Sequence, residues 1–122
     1  MTEKKLENFA VSEQCPVRNV LDRIGDKWSM LVLLVLDEAG VLRFNEIHKY
    51  IHSISQKMLS TTLKTLEADD LVVRKIYPEV PPRVEYQLSE RGKSLIPHLQ
   101  NLVDWANENF DSILESREAF AR

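Results

Sequence analysis

The chain has 122 residues, 43% of them hydrophobic and 29% charged, with a net charge of −3, one cysteine and three glycines. Such a chain makes one ordinary domain with a sizeable core and is too acidic for a generic nucleic-acid coat. No apolar run approaches the ~20 residues of a membrane helix. The opening MTEKKLENFAVSEQ is no secretory signal, and a lone cysteine excludes an intrachain disulfide, so a soluble cytoplasmic protein is expected.

No repeat, low-complexity tract or linker divides the sequence. After the lead over residues 1–14, a candidate dimer arm, Pro16 suits a first helical position, and Val17, Val20, Leu21 and Ile24 follow at helical spacing. Gly25 is placed to end that helix and Asp26 to cap the next, which runs over about 27–37 and is apolar nearly all round, as a central core helix is. Residues 41–43 are short enough for a lone edge strand. A third helix over 44–51 puts Phe44, Ile47 and Ile51 on one face. His52-Ser53-Ile54 makes a turn, and Ser55 is a good N-cap for a fourth helix over 55–68. Residues 71–77 and 83–88 read as strands joined by Pro78-Glu79-Val80-Pro81-Pro82, a stiff hairpin tip. Ser89 caps a last helix, in which Leu95, Leu99, Leu102, Ala106, Phe110 and Ile113 recur at spacings of three or four, with Pro97 expected to weaken or bend its early part. So long a stripe exceeds the needs of one small domain, and a helix from a second copy is its natural cover.

This order is that of a winged helix-turn-helix, mostly α with a small β-hairpin wing and a C-terminal dimerisation helix. The divisions expected are 1–14 as the lead, 15–92 as the DNA-binding part and 93–122 as the dimerisation helix, within one structural domain. In the fourth helix Leu59, Leu63 and Leu66 share a buried face, with Met58 and Thr62 beside it. Ser55, Gln56, Lys57, Ser60, Thr61 and Lys64 are left for the outside, with two lysines and no acidic residue between Ser55 and Leu66. A merely solvated face usually mixes its charges, whereas hydroxyl and amide groups between cations suit phosphates and base edges. Residues 42–93 carry 9 basic and 7 acidic groups, while 1–41 carry 5 and 7 and 94–122 carry 2 and 5. The positive charge thus lies in the segment expected to touch double-stranded DNA. Arg43 and Lys49 are candidate phosphate contacts from the third helix. Arg83 on the wing suits the minor groove or a phosphate, with pairing to Glu79 or Glu85 as the alternative.

Other chemistry is poorly supported. His48 and His52 have a metal-compatible spacing, but the helix ends between them and no acidic or thiol partner is near in sequence, so no metal or other cofactor is expected. Trp28 and Trp105 suit the core or a dimer seam better than an effector pocket. Without paired carboxylates, a phosphate-binding glycine loop or a Ser/His/Asp series, no enzyme is expected. The alternative to DNA binding is a winged-helix module that binds another protein.

From Cys15 to about Asn109 the chain resembles the HxlR-type transcriptional regulators. The likeness rests on Cys15-Pro16-Val17, Ile24-Gly25-Asp26-Lys27-Trp28, Arg43-Phe44-Asn45-Glu46-Ile47, Ile54-Ser55-Gln56-Lys57-Met58-Leu59 and Leu63-Lys64-Thr65-Leu66-Glu67. Downstream it continues in Pro81-Pro82-Arg83-Val84-Glu85-Tyr86 and Leu88-Ser89-Glu90-Arg91-Gly92. Asp70 and Ser53 stand where the family favours glycine. The resemblance implies a homodimer that binds an operator and represses or activates nearby genes. Cys15, before Pro16, falls at the N-cap of the first helix, where the dipole favours negative charge. Some HxlR-type regulators sense oxidants or electrophiles through a cysteine at the matching position. A thiol capping a helix is also sufficient as structure. Were Cys15 a sensor, its product would be a mixed disulfide, a sulfenic acid, an adduct or a bridge to the other subunit.

Overall fold

The computed structural model describes residues 15–122, and the arm expected over 1–14 lies outside them. Among the described residues five helices accompany a three-stranded antiparallel sheet of order β1-β3-β2: α1 (Pro16–Ile24), α2 (Lys27–Ala39), β1 (Val41–Leu42), α3 (Phe44–Tyr50), α4 (Gln56–Ala68), β2 (Val72–Tyr77), β3 (Arg83–Leu88) and α5 (Glu90–Ala121). This is the mostly α winged helix-turn-helix that the element order implies.

Caps set the helix boundaries. Pro16 opens α1 behind Cys15, and the Gly25 N–H closes it on the Leu21 carbonyl. The Asp26 carboxylate accepts from the Ser29 N–H at 2.9 Å and from the Ser29 hydroxyl at 2.8 Å, which satisfies one exposed donor of α2 and the buried Ser29 side chain together. Val32, Leu33 and Leu36 then lie fully buried, so α2 is the central helix, packed on α3, α4, α5 and the sheet. As expected, β1 is an edge strand, and it pairs with β3 through Val41↔Gln87 and Leu42↔Tyr86. In α1 the helical stripe has a different outcome: Ile24 is buried, but Val17, Val20 and Leu21 are exposed.

Behind α4 the chain turns through a Schellman corner. The Leu71 N–H reaches the Leu66 carbonyl at 2.9 Å and the Asp70 N–H reaches the Glu67 carbonyl at 3.0 Å, with Asp70 left-handed at φ 56°. That backbone accounts for a glycine preference at this position. Ser53 has no positive φ, so serine suits its turn. The Ser89 hydroxyl ties the corner to α5, donating to the Asp70 carbonyl at 2.5 Å and accepting from the Gly92 N–H at 3.0 Å. Gly92 lies so close to this corner that an added Cβ would meet the Leu71 carbonyl oxygen at 2.1 Å.

At about 1.5 Å per residue, the 32 residues of α5 span about 48 Å, and the helix runs unbroken through Pro97. Its start belongs to the core, since Ile96 and Leu99 are buried and Leu95 packs beside them. Beyond them Leu102, Trp105, Phe110, Leu114 and Phe120 are exposed. Of the stripe expected to face a second copy, Leu95 and Leu99 are packed within the protomer, whereas Leu102 and Phe110 are open. Leu99 is buried in its own protomer's core and Leu95 packs against that core, where α2 lies on α5, while Leu99 also borders the open groove between these two helices.

Candidate nucleic-acid interface

The helix-turn-helix is built by α3 and α4. At the start of α3 the Glu46 carboxylate accepts the Arg43 N–H at 2.9 Å, which fixes that end and leaves the Arg43 side chain exposed. Ile47, fully buried, anchors α3 from below. The turn over residues 51–54 is pinned twice: Ile51 and Ile54 are buried, and His48 Nε2 donates to the Ile54 carbonyl at 2.9 Å. His48 is therefore committed to the turn, while α3 ends at Tyr50, before His52. Among the described residues no cluster of His, Cys, Asp or Glu is arranged to hold a metal.

The turn delivers Ser55 to the N-terminus of α4, where its hydroxyl accepts the Met58 N–H at 3.0 Å. Leu59, Leu63 and Leu66 are buried at 0%, 2% and 0% exposure with Thr62 beside them, so the roll of α4 is fixed. That roll leaves Ser55, Gln56, Lys57, Thr61 and Lys64 exposed and Ser60 half-buried. Met58 is more open than its expected place beside the leucines, at 44% exposure. Among the described residues Lys57, Lys64, Arg43 and Lys49 take part in no ion pair. Their charge stays available to an external anion.

The wing differs. The β2–β3 register pairs Tyr77 with Arg83 and Lys75 with Glu85, which places these four on one face of the hairpin. The Arg83 guanidinium lies 4.1 Å from the Tyr77 ring centre, with Nη2 3.4 Å from Glu79 Oε1 and Nε 3.6 Å from Glu85 Oε2. Of the two roles open to Arg83 from sequence, pairing with Glu79 and Glu85 is the one adopted here. The sequence alone does not disclose the Tyr77 platform; the signal for it is the strand register, which is hidden until the hairpin length is known.

Away from this face lies a second apolar surface. Met30, Leu31 and Leu34 of α2 meet Leu99, Leu102, Val103 and Ala106 of α5 along an apolar groove that Lys27 borders. It continues the exposed stripe of Leu102, Trp105 and Phe110. From sequence the α2 residues read only as core, because an all-round apolar helix does not reveal which flank stays uncovered. Trp28 packs against the core with Lys27 Nζ 4.4 Å above its ring, whereas Trp105 is 55% exposed. Cys15 sits at the N-cap of α1 and is buried.

A capped helix seated on buried leucines after a tight turn, with a two-stranded wing behind it, defines a winged helix-turn-helix. Residues 23–113 match the model of the HxlR-like helix-turn-helix family, and the chain belongs to that family of transcriptional regulators. An uncharacterized HTH-type transcriptional regulator of Methanothermobacter thermautotrophicus is 52% identical over 91 residues, 75% of this chain and 69% of that protein. The solved structure of ytfH from Salmonella typhimurium superposes with a TM-score of 0.79 at 36% identity, over 89% of this chain and 96% of that one. The redox regulator HypR in its reduced form gives a TM-score of 0.75 at 42% identity, over 83% of this chain and 98% of that one.

Proposed function

We propose that the protein is a homodimeric, sequence-specific DNA-binding regulator. The observation that carries this reading is the outer face of α4, exposed, hydroxyl-rich and bearing two lysines that form no ion pair among the described residues, on a helix whose roll is fixed by buried leucines. In this reading α4 enters the major groove. Lys57 and Lys64 neutralise phosphates, and Gln56, Ser60 and Thr61 meet base edges. Ser55 orients the helix by capping it, and Arg43 and Lys49 of α3 contact the backbone alongside. The dimer forms over Leu102, Ala106 and Phe110, extended by Leu31 and its α2 neighbours. Its two reading heads address half-sites about one helical turn apart, ~34–36 Å, or a multiple of that.

Cys15 is the proposed point of regulation. Its thiol lies at the start of α1, and a relative of similar fold, HypR, is a redox regulator. Modification there by an oxidant or electrophile adds bulk at a buried N-cap and shifts α1.

The test is a titration of the wild type against the DNA upstream of its own gene and against a random duplex, over a range of salt. Tight, salt-dependent binding to the upstream DNA is the expected result. Absence of binding to either duplex leaves the protein-interaction module as the better reading. Treatment with diamide should weaken or strengthen binding by the wild type and leave Cys15→Ser unaffected; an equal response by both removes Cys15 as the sensor.

A further inference from the structure

The wing of a DNA-binding protein would be expected to offer its cation outward, yet Arg83 is covered on three sides by residues of the wing itself. Tyr77 lies beneath the guanidinium, Glu79 reaches it from the tip and Glu85 from two residues along β3. The arrangement is built into the backbone. The Glu79 N–H donates to the Tyr77 carbonyl at 2.8 Å, which folds the tip back over Arg83, and the prolines at 78, 81 and 82 stiffen it. Both carboxylates stand at ion-pair distance rather than in tight forked hydrogen bonds. Arg83 Nε is buried with no hydrogen-bond partner. A guanidinium with an unspent buried donor and two loosely held carboxylates is occupied, and a better acceptor displaces them.

A phosphate oxygen and a carboxylate oxygen present the same chemistry to a guanidinium, so they compete for it. We propose that Glu79 and Glu85 are specificity-determining residues that occupy Arg83 in place of DNA phosphate and thereby suppress binding to random DNA. The inference rests on the DNA-binding reading. Each encounter with DNA then exchanges one ion pair for another instead of adding one. A duplex that contributes only its backbone gains little from the wing, and a site that engages α4 fully draws Arg83 out of its cradle. The exchange also mutes the salt response, because each freed carboxylate regains a counterion as the phosphate gives one up.

The experiment measures binding to a random 24-base-pair duplex for the wild type, Glu79→Gln and Glu85→Gln, each with Arg83 present and with Arg83→Ala. With Arg83 present, each glutamine variant should bind about three- to fivefold more tightly at low salt, with a log–log salt slope steeper by up to about one unit. In the Arg83→Ala background both gains should vanish, because the carboxylates act through that side chain. Equal gains in the two backgrounds mean a general charge effect and overturn the proposal, as do unchanged affinities. A wild type that binds neither this duplex nor the DNA upstream of its gene refutes the DNA-binding reading itself. Wild-type binding with unresponsive variants refutes only the role of the two glutamates. Thermal melts of both glutamine variants, expected to match the wild type, separate these outcomes from a damaged wing.

Discussion

Two helices of this protein, α4 and α5, carry the same kind of apolar stripe and end in opposite situations. In α4 the stripe is fully covered by the domain it belongs to, with Leu59, Leu63 and Leu66 buried, and what faces outward is polar or charged apart from Met58 and the terminal Ala68. In α5 the stripe is covered through Leu99 and then continues into solvent through Leu102, Trp105, Phe110, Leu114 and Phe120. Periodicity shows that a helix has an apolar face, while the extent of the neighbouring layer decides how much of that face the chain covers itself. A satisfied helix can present its other side to a ligand. A helix that outruns its core presents the apolar side instead.

The sharpest way to break this comparison uses two leucines three residues apart. Leu99→Asp places an unpaired charge in the protomer core, at a cost of several kcal/mol, a large fraction of the ~5–15 kcal/mol that holds a domain together. Its cooperative melt should be lost or strongly lowered. Leu102→Asp changes a half-exposed position, so the chain should stay folded while its sedimentation shifts from dimer to monomer and tight DNA binding disappears. If Leu102→Asp sediments as a dimer, the seam lies elsewhere, with Val17, Val20 and Leu21 of α1 as the next exposed apolar face.

How far the sequence discloses these differences depends on the range of the interaction involved. The caps Asp26, Ser55 and Ser89 are local, need only three residues to act, and stand where the sequence puts them. The bounds of β3 and the inward leucines of α4 follow from short patterns in the same way. Whether Leu99 meets its own α2 or a partner is a long-range matter, and spacing is identical in the two cases. The pairing of Arg83 is also decided in space, because Glu79, Glu85 and DNA all remain open until the hairpin tip folds back. Strand register, which puts Tyr77 beneath that arginine, is non-local too.

A smaller effect sharpens the α4 side of the comparison. Lys57→Ala and Lys64→Ala remove charges that support nothing within the described residues, so thermal stability should be unchanged. Each should lower the salt slope of DNA binding by about one unit and weaken binding across sequences. Gln56→Ala should change the preferred sequence instead, at ~1–3 kcal/mol for the base it reads. Lysine variants with unaltered affinity and salt dependence would take α4 out of the interface.

The smallest effect lies where α4 hands over to the wing. Asp70 holds the left-handed position of the Schellman corner, where glycine avoids a clash between Cβ and backbone. Among the described residues its carboxylate forms no ion pair, and its carbonyl, which accepts from Ser89, is kept in any substitution. Asp70→Gly therefore relieves backbone strain without removing an ion pair among the described residues. Against this, glycine adds freedom to the unfolded chain, which offsets about 0.4–1 kcal/mol of the gain. A net stabilisation of roughly 0.5 kcal/mol follows, a rise in Tm of about 1–3 °C for a domain of this size. The measurement compares Asp70→Gly with Asp70→Ala at one fixed protomer concentration, because association alone moves Tm. Alanine deletes the same carboxylate but keeps the Cβ, so it should melt no higher than the wild type. If both variants melt below the wild type, the aspartate side chain stabilises the corner and the strain is not what limits it.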